Sequence, residues 1–159
     1  MYCQWRLRKP YIHNSLFRSH LEYSISTLGN LPKYKIKPFF SLQKKSIRNI
    51  AGKDISVGTG HLFGELNLLK IQDLFTLNCN KFMFNILHGK APRSFSNMFP
   101  TLLGENRSNS FFLPSYKGKF PSNYLPKVWN SGSLELRRSA SLLTMIKTFC
   151  NLCRESYMR

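Results

Sequence analysis

Carboxylates are scarce in this sequence, seven against 24 lysines and arginines. Two aspartates, Asp54 and Asp73, and five singly spaced glutamates are all that 159 residues hold. Two-metal phosphoryl transfer needs acids converging on ions about 4 Å apart, and no two acids here are adjacent. Asp73 reads as a helix-start residue and Asp54 as a loop residue. A nucleophile elbow, a paired acid set and a phosphate-binding glycine loop are also missing. An enzyme of the common hydrolytic or phosphoryl-transfer classes is therefore not expected, and neither is a small-molecule substrate or a cofactor. Four cysteines (Cys3, Cys79, Cys150 and Cys153) are too few for a disulfide scaffold in a chain of this length, and fit a reducing compartment. No apolar run approaches the roughly 20 residues that span a bilayer, so a membrane is not the expected partner.

Against seven acids stand 24 lysines and arginines, a formal charge of +17 and a pI near 10.1. A compact body with that excess repels itself unless a polyanion or counterions offset it. Nucleic acid is the commonest such partner, because neutralising phosphates releases condensed counterions; an anionic membrane surface is the competing reading. With 42% hydrophobic residues, 13 Phe and 7 Tyr, the chain has material for one domain with a packed core, and wholesale disorder is not expected. The opening residues are acid-free until Glu22, a pattern shared with mitochondrial presequences and equally with the rest of this acid-poor chain. Nucleus or cytoplasm is the expected location, with the mitochondrion as the alternative.

Periodicity points to a mainly α fold, a small bundle of about four to six helices. Residues 11–28 carry Ile12, Leu16, Phe17, Leu21 and Tyr23 at helical spacing, closed by Gly29 and Pro32. Residues 33–50 form a second helix, with Phe39, Leu42, Ile47 and Ile50 as its buried stripe and Pro38 in or before its first turn. Gly52 and Gly58-Thr59-Gly60 mark a break. Residues 62–69 give a short helical piece. The strongest period runs over 71–87 through Leu74, Phe75, Phe82, Met83, Ile86 and Leu87, with Asp73 complementing the dipole and Gly89 ending the helix. Pro92 opens another short helix with Phe95, Met98 and Phe99. A last helix from Ser141 toward Tyr157 places Leu142, Met145, Ile146, Phe149 and Leu152 on one face. Between them, residues 100–126 are rich in Pro, Gly, Ser and Asn and read as a long irregular basic loop, with a hairpin around 116–120. The organisation expected is an arm over 1–10, a helical domain over 11–99, the loop over 100–126, and a helical segment over 127–159 packing on the same core.

Two constellations bear on chemistry. Cys150-x-x-Cys153 has the spacing that begins a zinc site, but no further Cys or His follows it; on a helix the pair is better read as two small core-edge residues, and no metal is expected. The positive signal is cationic. Lys33, Lys35 and Lys37 lead into Lys44, Lys45 and Arg48, interleaved with Tyr34, Phe39 and Phe40. A helix with one apolar side and one cationic side suits docking on a core while facing phosphates. These six residues are the expected nucleic-acid contacts.

Several stretches, taken in order, resemble the region that follows the polymerase domain in jockey-like non-LTR retrotransposon reverse transcriptases. They begin with Ser19-His20-Leu21-Glu22-Tyr23 and Gly29. Leu42-Gln43-Lys44-Lys45-Ser46-Ile47-Arg48 is close to that family's Leu-Gln-Lys-basic-Ala-Ile-Arg signature. His61-Leu62-Phe63-Gly64-Glu65-Leu66, Leu69-Lys70-Ile71 with Asp73, Phe82-Met83-Phe84, residues 92–99 and Lys127-Val128-Trp129-Asn130-Ser131 follow. The final helix with Lys147 resembles the family's terminal Phe-Lys helix, with Ile146 in the place of Phe. Leu28 stands where the family usually has Trp, Gly132-Ser133 replaces Leu-Pro after Trp-Asn, and the usual Asn-Thr-Arg is reduced to Asn106-Arg107. The likeness covers residues 11–156.

The resemblance implies a decayed or truncated copy of a larger protein, whose polymerase and endonuclease would lie upstream; the polymerase's Ala-Asp-Asp motif is absent from this sequence. It implies a non-catalytic segment that holds template RNA or target DNA, with the missing polymerase domain as a partner. The alternatives are a small basic structural component of a ribonucleoprotein particle and a non-functional pseudogene product.

Overall fold

The structure, a computed structural model, describes residues 15, 18–20, 22–23, 31–102, 109–113 and 121–158. It is mainly α, as the periodicity predicts. Seven helices lie among the described residues: α1 (Lys33–Ala51), α2 (Gly60–Glu65), α3 (Ile71–Leu87), α4 (Arg93–Met98), α5 (Pro121–Ser131), α6 (Leu134–Arg137) and α7 (Leu142–Met158). The chain divides into two compact units, Met1–Phe75 with Cys150–Arg159, and Thr76–Phe149. Most of the helix expected over 11–28, and the hairpin expected around 116–120, lie outside the described residues.

Helix ends follow local chemistry. Gly52 takes a left-handed φ of 63° beyond α1, so that Lys53 N–H reaches Arg48 O at 2.9 Å and Gly52 N–H reaches Asn49 O at 3.3 Å. These paired bonds satisfy carbonyls that the helix leaves without partners. Gly89, at φ 66°, ends α3 in the same way, through Lys90 N–H to Asn85 O and Gly89 N–H to Ile86 O. Asn67 does the same after α2 at φ 54°, with Leu68 N–H on Phe63 O. Asparagine tolerates this conformation better than other side chains that carry a Cβ.

In the first unit Ile47, Leu62, Phe63, Leu68 and Tyr157 form a buried cluster, with Phe40, Ala51, Leu66 and Cys153 packed against it. The Phe63 ring stacks on Phe40 at 6.2 Å and meets Tyr157 edge-on at 6.0 Å, arrangements favoured by the aromatic quadrupole. The buried face of α1 differs from the expected stripe. Ile47 is buried, but Phe39 is 37% and Leu42 54% exposed; the inward residues are Ile36, Phe40, Gln43 and Ile47, at helical spacings of four, three and four. Gln43 explains the shift. Its side-chain amide donates to Leu69 O at 2.8 Å and accepts from Ile71 N–H at 3.0 Å. One glutamine thus satisfies a loop carbonyl and the first amide of α3, groups that would be costly to bury alone. Pro38 also sits deeper than expected, inside α1 rather than in its first turn, where it removes the bond otherwise made to Tyr34 O.

The second unit corrects the extent of the loop. Thr101–Leu102 (β1) and Ser110–Phe111 (β2) pair antiparallel, Thr101 opposite Phe111, and α5 begins at Pro121, well before residue 126. Trp129, fully buried, donates its indole N–H to Asn109 O at 2.6 Å and meets Phe111 edge-on. Asn130 accepts from Phe111 N–H at 3.0 Å and donates to Phe111 O at 2.8 Å, completing that residue's backbone as a neighbouring strand would. Phe82 of α3 packs edge-on against Phe95 and Phe99.

Candidate nucleic-acid interface

Over its 19 residues α1 carries six cations and no carboxylate. At about 100° per residue, the buried Gln43 and Ile47 and the half-buried Ile36 and Phe40 occupy one arc, and Lys37, Lys44 and Arg48 a second arc of about 40° immediately beside it. Ser41, Tyr34 and Lys45 continue that surface around the helix to a total of about 100°. Packing on the first arc leaves Lys37 and Lys45 exposed and Lys44 and Arg48 half-buried at its border.

The six expected contacts do not form one patch. Lys37 and Lys45 are exposed, and Lys44 and Arg48 are half-buried beside them. Lys44 Nζ lies 4.5 Å from the centroid of the Phe40 ring, a cation–π contact that holds the ammonium against the helix. Arg48 donates Nε–H to Val57 O at 2.9 Å, anchoring the loop after α1 with one of its five N–H groups. Lys35 lies apart, on the opposite flank with the exposed Phe39 and Leu42. Lys33 opens the helix, and its side chain is outside the described residues. Lys53, exposed just beyond Gly52, extends the basic end of α1; its position after a helix-stop glycine was the signal available for it.

Other cations have packing roles. Lys70 places Nζ 4.0 Å from the Tyr157 ring centroid and 5.8 Å from that of Phe63. Its backbone N–H donates to Tyr157 Oη at 3.2 Å, and that hydroxyl in turn donates to Asp73. Burial, with the Asp73 hydrogen bond second, pushes the Tyr157 phenol far above its usual range. Asp73 sits in the first turn of α3 as expected and is engaged there by Tyr157. Asp54 accepts from Ile55 N–H in the loop after α1. Cys150 and Cys153 are both half-buried, and burial pushes the Cys153 thiol up to about 12. Among the described residues no group of three or more His, Cys, Asp and Glu is placed to hold a metal ion. No helix among them is long and apolar enough to cross a membrane.

No family model, curated protein or solved structure matches this chain.

Proposed function

We propose that this chain is a non-catalytic nucleic-acid-binding segment that positions template RNA or target DNA beside a polymerase domain, as its resemblance to the post-polymerase region of jockey-like reverse transcriptases implies. One observation carries the binding reading: α1 joins six cations to no carboxylate, with Phe40 and Ile47 packed into the core and Lys37 and Lys45 left exposed. Lys37, Lys44, Lys45 and Arg48 are the phosphate contacts. The overall charge of +17 adds long-range attraction that draws a polyanion to this surface. A nuclear or cytoplasmic location, and a polymerase partner, belong to the same reading.

Fluorescence anisotropy with a labelled oligonucleotide tests it. Reversing two exposed cations of α1, Lys37→Glu with Lys45→Glu, should weaken binding and lower the slope of log affinity against log salt by about 1 per residue. Reversing two exposed cations elsewhere, Lys127→Glu with Lys147→Glu, should change it much less. Equal losses from both pairs would mean that charge acts diffusely and that α1 is no interface.

A further inference from the structure

The cationic arc of α1 is not purely cationic. Tyr34 stands within it, in the first turn, and is 70% exposed. By helical angle it lies between Lys37 and Arg48 on one side and Lys45 on the other, within about 60° of each. Of the aromatic side chains on α1, Phe40 is packed on Phe63, and Phe39 lies on the opposite flank beside Lys35 and Leu42. Tyr34 is thus the aromatic ring that shares an exposed surface with the phosphate-binding cations. Burial does not explain a tyrosine at this place, since little of its surface is removed from water.

We infer that Tyr34 is a stacking platform for an unpaired base, and that the ligand of α1 is single-stranded nucleic acid whose backbone runs along Lys37, Lys44, Lys45 and Arg48. The inference rests on the nucleic-acid reading above and narrows it. In a duplex each base is already stacked on its neighbours and offers only an edge to the groove. In a single strand a base plane is available, and every base has a π-face, so an exposed ring beside a basic track binds without reading sequence. The ring contributes stacking and the cations contribute counterion release. Residues 37 and 48 are separated by about 16 Å along the helix axis, a track long enough for more than one phosphate.

Anisotropy titrations of the full chain against a labelled single strand and a duplex of equal length, at one salt concentration, decide the matter. Tyr34→Ala should weaken single-strand binding about 5- to 150-fold and leave duplex binding within about twofold. Tyr34→Phe, which keeps the ring, should retain single-strand affinity. Equal effects of Tyr34→Ala on both forms, or no effect on either, would overturn the stacking role while the charge-reversal result at Lys37 and Lys45 still stands. Failure of the unaltered chain to bind either form, with binding instead to vesicles containing anionic phospholipid, would overturn both readings together.

Discussion

Single side chains do more of the structural labour here than their types announce. Gln43 replaces a hydrophobic residue on the buried side of α1 because two backbone groups, Leu69 O and Ile71 N–H, have to be satisfied at the entry to α3. Gln43→Leu keeps the size and loses both bonds. It should lower stability by about 2–6 kcal/mol, each orphaned group contributing about 1–3, read as a drop in the urea midpoint at unchanged slope. The Tyr157 hydroxyl has a similar place, and Tyr157→Phe should cost about 1–2 kcal/mol. Buried thiols give a pH dependence. Burial lifts Cys79 and Cys153 from 9.0 to about 12, so the unfolded chain loses these protons first. The stability they contribute is complete below pH 9 and is lost as pH rises through 12. Unfolding midpoints should therefore fall across that window, and less steeply in the Cys79→Ala, Cys153→Ala variant. At pH 8 the buried Cys79 should react with iodoacetamide far more slowly in the folded chain than in urea; equal rates would contradict its placement. A glutamine midway between Phe40 and Ile47 keeps the 3.6-residue period, but its polarity conceals its burial from a reading based on hydrophobicity. Only the position of the α3 amides reveals its purpose.

Among the elements, α3 was the most legible. Its apolar period, the acid in its first turn and the glycine beyond its end all specify the same segment, Ile71–Leu87. The helix beginning at Pro121 was the least legible, because Pro, Ser and Asn at its start resemble the preceding loop. A proline at the first helical position is itself a start signal, but Pro126 further along argued against continuing. The pairing of β1 with β2 had no signature at all: two-residue strands are too short for a period of two to register. The Trp129-Asn130 pair of α5 holds β2 in place. Asn130→Ala removes both side-chain bonds to Phe111, and should speed hydrogen exchange at the Phe111 amide while leaving the Ile47 amide unchanged. Equal acceleration at both would show global destabilisation instead. On α1 the cations were visible, but their grouping was not. The register set by Gln43 assigns Lys37, Lys44, Lys45 and Arg48 to one surface and Lys35 to another.

At the scale of the whole molecule, charge is the dominant fact. A body at +17 is destabilised by its own field, and screening relieves it. The melting temperature should rise with ionic strength at low salt, and rise further with a polyanion that binds the folded state. Composition made this legible from the outset, and helical periodicity made the fold class legible with it. Which surface concentrates the charge depends on packing, as the register of α1 around Gln43 illustrates. The measurement that bears most directly on the account is the salt dependence of oligonucleotide binding by the unaltered chain. Grip on phosphates by the α1 cations predicts a linear fall of log affinity with log salt, with a slope of about −3 for four contacts to a single strand, reduced in the Lys37→Glu, Lys45→Glu variant. A flat dependence, or no binding at low salt, would contradict it.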